Sequence, residues 1–302
     1  MQTTLRSYSV LATNPIAAPV RDRLAPAERE TFDAVAAALE GAGRLGVAYS
    51  GGVDSALLVA VAAEALGREN VVALLGVSPS LAASEHAIAR DVAERIGVEL
   101  LEFDPGEGEL PGYRANGLDR CYHCKTALFT AIDDRIVAQA RLDSVAYGEN
   151  ADDRLRPDRP GARAATEHRV LRPLADAGVT KPRIRALARA LGLPVADKPA
   201  APCLASRIPH GQEVTPEKLK QIEDAEAVVR AQGFTDCRVR HHGTVARIEV
   251  PVNQIGRLAD DGARTALLTG VKEAGFLHVA LDLAGLQSGL FSLTLLGQAP
   301  RD

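Results

Sequence analysis

The apolar residues after position 44 alternate between short continuous runs and longer helical stretches. Runs at 45–49, 71–77, 98–103 and 144–147 predict strands, and the stretches between them predict helices, among them 53–66 and about 121–140. Nearly continuous apolar strands separated by helices are typical of a parallel sheet that is covered on both faces. The pattern therefore predicts an α/β fold with a doubly wound parallel sheet, in which ligands bind at the carboxyl ends of the strands.

A different pattern follows the irregular stretch that ends near residue 212. Thr215-Pro216 predicts the start of a helix, and two strands at 237–242 and 245–250 predict a hairpin around Gly243. A helical stretch at about 252–274 and a last strand at 276–283 complete a smaller α+β unit. We expect an N-terminal arm at 1–28, a first domain at 29–200 and a smaller C-terminal α+β domain at 201–302.

Composition narrows the choice of partners. The chain has 302 residues, of which 46% are hydrophobic and 25% charged, as in an ordinary globular protein. A net charge of −4 disfavours nucleic-acid and membrane-surface proteins, and no apolar run approaches the roughly 20 residues of a membrane span. Four cysteines without a signal-peptide pattern predict a cytoplasmic protein whose thiols are free, catalytic or metal-bound. We expect a small-molecule substrate.

The segment Ser50-Gly51-Gly52-Val53-Asp54-Ser55 lies where the first strand passes into a helix. The unpaired N–H groups at a helix start attract anions, and two glycines allow successive N–H groups to form a concave nest. Ser50 and Ser55 add hydroxyl donors, whereas Asp54 suits Mg²⁺ or the orientation of neighbouring donors. A plain serine–glycine turn capped by Asp54 is the alternative. Neither a Walker A nor a dinucleotide-binding glycine pattern is present, which disfavours γ-phosphoryl transfer.

Four further motifs follow in order along the chain: Arg120–Lys125 (RCYHCK), Gly148–Asp153 (GENADD), Arg159–Gly161 (RPG) and Lys198–Gly211 (KPAAPCLASRIPHG). Together with the loop at 50–55, they resemble the LarE-type sulfur transferases of the PP-loop, or ATP-pyrophosphatase, superfamily over roughly residues 30–285. The motif around Cys203 is the most specific of them, since the glycine loop is typical of the whole superfamily.

The resemblance implies both a reaction and its cofactors. ATP and Mg²⁺ would adenylate a carboxylate of pyridinium-3,5-biscarboxylic acid mononucleotide and release pyrophosphate. Sulfur would then give the thiocarboxylate of the nickel-pincer nucleotide cofactor of lactate racemase. Residues 29–200 would form the PP-loop domain, and residues 201–302 would bind the substrate and mediate homo-oligomerisation.

Cys203 lies in a proline-rich segment and is followed by Ser206-Arg207. Prolines hold such a loop extended, and a nearby guanidinium favours the reactive thiolate. A small buried hydrophobe is the alternative for a lone cysteine. The resemblance implies that Cys203 attacks the acyl-adenylate and gives up its own sulfur, so that the residue becomes dehydroalanine.

Cys121 and Cys124 form a C-x-x-C pair at a predicted helix start. Such a pair fits a redox couple, half a zinc site or part of an iron–sulfur site. Zinc needs two more ligands, and the redox interpretation expects a thioredoxin-like fold. Some LarE-type proteins have three cysteines at these positions, which implies a [4Fe-4S] cluster on Cys121, Cys124 and Cys203 with one iron open to sulfide. A cluster, a sacrificial Cys203 and ordinary free thiols remain as alternatives, and Cys237 is expected to be structural.

The alternation Arg238-Val239-Arg240 places two arginines on one face of a strand. Guanidinium groups suit phosphate and carboxylate, although a solvated strand face is an equal alternative. The expected substrate-binding residues are Ser206, Arg207, Arg238, Arg240, Glu226 and Glu249, the two glutamates orienting the arginines. The expected nucleotide-binding residues are Ser50, Gly51, Gly52, Val53, Ser55, Lys125 and Asp153, and Asp54 joins Cys203 as catalytic. Weaker candidates for the phosphates or Mg²⁺ are Asp152, Lys181 and the arginines of 154–172.

Three other functions compete with this interpretation. A tRNA thiolase or an amide-forming synthetase of the same superfamily would share the glycine loop. The acidic net charge and the lack of a recognisable RNA-binding module count against the thiolase. A non-catalytic nucleotide-binding or sulfur-storage protein is the third, and pyrophosphate release that depends on the pyridinium substrate would exclude it.

Overall fold

The computed structural model describes residues 6–8, 21–154, 160–234 and 236–286. Its strands are β1 (Arg6–Tyr8), β2 (Leu45–Tyr49), β3 (Val71–Gly76), β4 (Glu99–Phe103), β5 (Ser144–Tyr147), β6 (Arg238–His242), β7 (Val245–Glu249) and β8 (His278–Leu281). Its helices are α1 (Pro26–Ala37), α2 (Val53–Leu66), α3 (Ala83–Ile96), α4 (Pro111–Arg114), α5 (Arg120–Ala131), α6 (Val137–Ala140), α7 (Ala151–Arg154), α8 (Pro160–Glu167), α9 (Pro173–Asp176), α10 (Lys181–Ala190), α11 (Pro216–Ala231) and α12 (Asp261–Glu273).

The first compact unit comprises Met1–Glu107 and Cys121–Ala201. Its sheet has the order β1-β4-β3-β2-β5, in which β2 to β5 run parallel and β1 pairs antiparallel with β4. One face of the sheet packs against α1, α2, α3 and α10, and the other against α5 and the helical residues that follow it. The predicted α/β fold with a parallel sheet covered on both faces is confirmed.

The order of the strands places the switch point of the sheet beside β2. From β2 the chain continues through α2 to β3 on one side, whereas β5 pairs with the other side of β2. In open α/β sheets, ligands bind in the crevice outside the carboxyl ends of the strands at such a point. The loop at 50–55 follows β2 and therefore lies at this position.

One helix differs from the expected pattern. Residues 121–140 were expected to form one continuous helix, but a π-helical turn at Ile132–Ile136 separates α5 from α6. Ile132 and Ile136 are buried, while the three charged residues between them are exposed. The wide turn keeps both isoleucines in the core although the helix is interrupted.

The second compact unit comprises Gly108–Arg120 and Pro202–Asp302. The predicted hairpin is present as β6 and β7, and β8 adds parallel to β7. Helices α11 and α12 cover this sheet around Val229, Phe234 and Phe276. The helical stretch expected at 252–274 begins as the 3-10 helix Val252–Ala259 and continues as α12, whose first N–H groups bind the Asp260 carboxylate.

The segment 108–120 packs with the second unit, although it lies inside the range 29–200. Its backbone bonds account for this: the Val214 N–H donates to the Arg114 carbonyl oxygen (2.9 Å) and the Gly211 N–H to that of Asn116 (3.0 Å). Within the described ranges, no helix is long and apolar enough to cross a membrane.

Candidate functional site

The loop between β2 and α2 is built around close contacts of its two glycines. Gly51 has φ +70°, and a Cβ on it would lie 2.7 Å from the Cβ of Ala89, so a larger residue does not fit there. Gly52 is the N-cap of α2 and has no side chain to accept the first N–H groups of the helix. These N–H groups therefore point out of the turn, as an anion nest requires.

Two serine hydroxyls close the same loop. The Oγ atoms of Ser50 and Ser55 lie 3.2 Å apart, and the Ser55 hydroxyl donates to the Gly52 carbonyl oxygen at 3.1 Å. The Ser50 N–H also donates to the Ser55 Oγ at 3.2 Å. The predicted nucleotide-binding residues 50–53 and 55 are thus held in one compact turn.

The GENADD segment lies directly against this turn. A Cβ on Gly148 would lie 2.8 Å from the Ser55 backbone nitrogen and 3.0 Å from the Asp54 carbonyl carbon. Only glycine allows the end of β5 to approach the first turn of α2 so closely.

Asp54 has a cationic partner in the structure. Its Oδ2 lies 2.5 Å from the Lys181 Nζ, and its Oδ1 accepts from the Asn150 side-chain amide at 3.3 Å. The Lys181 backbone N–H donates to Asp152 at 2.7 Å, and the Asp153 N–H to the Asn150 side-chain oxygen at 3.1 Å. The structure thus gathers Asp54, Lys181 and the three residues Asn150, Asp152 and Asp153 at the carboxyl edge of the sheet.

Helix α5 crosses the same edge on the other face of the sheet. The Lys125 Nζ lies 4.4 Å from the ring centre of Tyr147, the last residue of β5. Leu128 contacts Gly76, the last residue of β3. Lys125 and Leu128 therefore lie over the carboxyl ends of β5 and β3, the two strands that flank β2. The C-x-x-C pair lies in the preceding turn of α5.

A buried carboxylate that sequence reasoning missed lies beside Lys125. The Tyr147 hydroxyl donates to the Glu149 Oε2 at 2.6 Å, and an Arg172 nitrogen lies 3.8 Å from the same oxygen. Burial first, and then the hydrogen bond to Glu149, raise the pKa of Tyr147 far above its usual value. Glu149 is the second residue after β5 in the GENADD motif, and its position at a strand end was the available signal.

The two cysteines of the first unit are accessible. Cys121 is exposed and Cys124 partly exposed, and their spacing places them on one side of α5. Cys203, which is also exposed, belongs to the second unit. Accessible thiols are suitable cluster ligands in kind. Within the described residues, however, no three His, Cys, Asp or Glu side chains are grouped to hold a metal ion, so a cluster at Cys121, Cys124 and Cys203 stays a prediction.

Residues 202–212 of the second unit form the Cys203 loop, which buried arginines hold in place. Arg207 directs its Nε and Nη2 to the Glu226 carboxylate (2.8 and 3.3 Å). Its Nη1 donates to the Pro202 carbonyl oxygen (2.6 Å) and to the Ser206 hydroxyl (3.0 Å). Most of the N–H donors of Arg207 are therefore bound to Glu226 and to the loop itself.

Arg240 is arranged in the same way. Its Nε and Nη2 both lie 2.9 Å from the Glu249 carboxylate, and its Nη1 donates to the Ser206 carbonyl oxygen at 3.0 Å. Glu249 is fully buried and also pairs with Arg247 at 3.3 Å. The structure thus places Glu226 and Glu249 where sequence reasoning expected them, each against an arginine.

Arg238 completes a buried arginine cluster with Arg207 and Arg240. It is only 6% exposed, which differs from a solvated strand face. Burial first, and then repulsion from Arg240 and Arg207, lower the pKa of its guanidinium. Glu249 and Asp236 act in the opposite direction, so the cluster combines three buried arginines with nearby carboxylates.

The other candidate residues have local roles. Cys237 is buried, and burial raises the pKa of its thiol to about 12, so it is an unreactive core residue. His241 is buried and lies 3.1 Å from the Gln221 side-chain oxygen. In the basic segment, the arginines 154, 163 and 172 pair with Asp176, Glu167 and Glu149 in turn. Arg156 and the RPG arginine, Arg159, lie outside the described residues.

Comparisons with known proteins identify the family of this chain. The asparagine synthase family profile matches residues 28–122, which include the glycine loop. An uncharacterized protein of Synechocystis is 42% identical over 249 residues, or 82% of this chain and 92% of the relative. The pyridinium-3,5-bisthiocarboxylic acid mononucleotide synthase of Lactiplantibacillus plantarum is 33% identical over 262 residues, or 86% of this chain and 92% of the relative. The chain therefore belongs to the LarE-type family of ATP-using enzymes within the PP-loop superfamily.

Proposed function

We propose that this protein is an ATP-dependent sulfur transferase that converts a carboxylate of pyridinium-3,5-biscarboxylic acid mononucleotide into a thiocarboxylate. The observation that carries the proposal is the similarity to the Lactiplantibacillus plantarum synthase over 86% of the chain. The product would serve the biosynthesis of a nickel-pincer nucleotide cofactor. The geometry of the two units supports a division of the work between ATP activation and substrate binding.

In the first unit, the glycine loop would hold the phosphates of ATP. The N–H groups at the start of α2 and the hydroxyls of Ser50 and Ser55 supply donors, and Lys125 and Lys181 supply positive charge. A substrate carboxylate oxygen attacks the α-phosphorus, and the bond from that phosphorus to the pyrophosphate oxygen breaks. Asp54 and Asp153 would hold Mg²⁺, because hard cations prefer carboxylate oxygens. When bound, Mg²⁺ would neutralise negative charge on the leaving pyrophosphate.

Asp54 must change partners for this to happen. It is paired with Lys181 in the structure, at 2.5 Å. With Mg²⁺ on Asp54, the Lys181 ammonium would be available to an ATP phosphate. The ion pair therefore keeps both groups at the place where the charges of ATP arrive.

In the second unit, the arginine cluster would bind the anionic groups of the substrate. Arg207 and Arg240 pair with Glu226 and Glu249, and Arg238 is buried beside them. We infer that the Arg238 guanidinium contacts a phosphate or carboxylate of the substrate. Arg207, Arg240 and Ser206 would shape the pocket around it.

Two sources of the sulfur follow from the cysteines. In the first, the Cys203 thiolate attacks the acyl-adenylate carbonyl and AMP leaves. A base then removes the Cα proton of Cys203, and the Cβ–Sγ bond breaks with its electron pair on the thiocarboxylate, leaving dehydroalanine. In the second, Cys121, Cys124 and Cys203 would hold a [4Fe-4S] cluster, the cluster would supply the sulfide that displaces AMP from the acyl-adenylate, and Cys203 would keep its own sulfur.

Peptide mass spectrometry after turnover distinguishes these sources. The protein, purified without oxygen, is incubated with Mg-ATP and the pyridinium substrate, and pyrophosphate, product mass and iron content are measured. The Cys203→Ala variant should lose thiocarboxylate formation, and the matched Cys237→Ala variant should retain it. A Cys203 peptide lighter by one H₂S indicates the sacrificial route, and an unchanged peptide with iron and product indicates the cluster. Absence of substrate-dependent pyrophosphate would refute the proposed function.

The same assay tests the competing functions. Pyrophosphate release that requires tRNA would indicate a thiolase, and release that requires ammonia or glutamine would indicate an amide-forming synthetase. Nucleotide binding without turnover on any of these substrates would indicate a binding or storage protein.

A further inference from the structure

The segment that precedes the C-x-x-C pair is attached to the Cys203 loop by two buried side chains, the first of which is Asn116. Asn116 is completely buried, and its amide nitrogen lies close to three carbonyl oxygens of the loop. The distances are 2.8 Å to Pro209, 3.0 Å to Gln212 and 3.3 Å to Ile208. An amide nitrogen has two hydrogens, so the three oxygens share two donors. This arrangement replaces backbone pairing for an irregular stretch.

The remaining polar atoms of Asn116 are also used. Its carbonyl oxygen accepts the Gly211 N–H at 3.0 Å and lies 3.1 Å from the His210 Nδ1. Its side-chain oxygen accepts from the Arg120 Nη1 at 2.6 Å. The residue has φ +54°, a left-handed conformation that asparagine adopts more readily than most residues. Both its backbone and its side chain thus fit this one position.

Arg120 extends the same set of bonds. Its Nη1 also donates to the Ala205 carbonyl oxygen at 2.9 Å, two residues from Cys203. The residue is only 7% exposed, and it has no acidic ion-pair partner in the described part of the chain. Burial of a guanidinium without a carboxylate is unfavourable, so packing alone would be served better by an apolar side chain. The hydrogen bonds of Arg120 to Asn116 and to the loop therefore account for a guanidinium at this buried position.

Other carbonyl oxygens of the loop are bound by Arg207 and Arg240. Arg207 binds the Pro202 carbonyl oxygen and Arg240 binds that of Ser206. Asn116 and Arg120 instead bind the oxygens of residues 205, 208, 209 and 212. Four side chains therefore hold the backbone of the loop, while Cys203 itself stays exposed.

We propose that Asn116 and Arg120 are positioning residues, which hold the Cys203 loop in the conformation that presents Cys203 to the activated carboxylate. The inference rests on the proposed function for its catalytic consequence. The attachment itself is a property of the fold, and it is measurable without any substrate.

The variants Asn116→Gly, Arg120→Met and Arg120→Lys separate the parts of this attachment. Glycine keeps the left-handed backbone and removes only the side chain. Methionine keeps length and burial but removes the donors, whereas lysine keeps a donor that reaches the Ala205 oxygen. Arg114→Met is the matched control, because Arg114 lies in the same segment but forms an exposed pair with Glu213.

Two measurements on the full-length protein give the result. Hydrogen exchange of the peptide 203–213 should rise in Asn116→Gly and Arg120→Met, by on the order of tenfold for each net hydrogen bond lost. The single-turnover rate of thiocarboxylate formation should fall by at least about tenfold in both variants, with the KM for ATP unchanged, because only the sulfur-bearing loop is displaced. Arg120→Lys should recover most of the activity, and Arg114→Met should behave as wild type.

Three results would overturn the inference. The first is wild-type exchange and a wild-type single-turnover rate in folded Asn116→Gly and Arg120→Met. The second is equal loss in Arg120→Lys and Arg120→Met with a raised KM for ATP, which would indicate a general structural defect. The third is loss of exchange protection across the whole second unit instead of the 203–213 peptide. If the wild type releases no pyrophosphate with the substrate, the proposed function fails, while the exchange measurement still decides whether the attachment holds the loop.

Discussion

The variant Gly148→Ala tests the contact between the GENADD segment and the glycine loop. The added Cβ would lie 2.8 Å from the Ser55 backbone nitrogen and 3.0 Å from the Asp54 carbonyl carbon and the Ser55 Cα. Ordinary contacts of a Cβ begin near 3.4 Å, so one backbone must move by about half an ångström. Because all three atoms belong to the first turn of α2, no flexible side chain can absorb the shift.

The expected cost follows from this displacement. Overpacking of a tight core contact costs about 1–3 kcal/mol. If the cost appears in the nest that binds the phosphates, the affinity for ATP falls by roughly tenfold for each 1.4 kcal/mol, and therefore by about 5- to 150-fold.

Calorimetric titration with a non-hydrolysable ATP analogue measures this loss. Gly256→Ala is the control, because a Cβ there meets no atom within 4 Å. It should bind the analogue as the wild type does. Unchanged affinity and unchanged thermal stability of Gly148→Ala would refute the inferred contact.

Three further predictions concern other groups. Lys181→Met should raise the KM for ATP by about tenfold or more, since a charge-assisted hydrogen bond to a phosphate contributes about 1.5–3 kcal/mol. The same variant loses the part-exposed ion pair with Asp54, and this loss should change the unfolding free energy by at most about 1 kcal/mol. Glu249→Gln should lower the unfolding free energy in urea by about 3 kcal/mol or more, because Arg240 loses its buried partner. Burial lowers the pKa of His241 below its ordinary 6.5. The neutral imidazole therefore makes its full contribution to the stability of the fold above pH 6.5, and this contribution is lost as the pH falls through the folded-state pKa. The melting temperature of the wild type should therefore fall more steeply below pH 6.5 than that of His241→Gln, and equal slopes would contradict this.

The parallel sheet was predictable because its strands are continuous apolar runs with helices between them. β2, β3 and β5 lie at or within one residue of the predicted ranges, since buried strands leave a strong local signal. The glycine loop was predictable for a related reason: its backbone angles and its position after a strand require particular residues at consecutive positions.

The attachment of 108–120 to the second unit was not predictable. Asn116 binds carbonyl oxygens more than 90 positions later in the chain, and a bond from a side chain to a distant backbone leaves no periodic pattern. Lys181 meets Asp54 across 127 positions for the same reason. The sequence predicted that Glu226 and Glu249 pair with arginines. The bonds of Arg207 and Arg240 to loop carbonyls were not predictable, because they depend on the fold of that loop.

A single-turnover reaction tests the central claim most directly. The protein is mixed with Mg-ATP and pyridinium-3,5-biscarboxylic acid mononucleotide, and pyrophosphate and the mass of the nucleotide product are followed together. The account predicts that pyrophosphate appears only when the pyridinium substrate is present, and that each pyrophosphate accompanies one exchange of oxygen for sulfur in the product. Pyrophosphate released without the substrate, or a product that gains no sulfur, would contradict it.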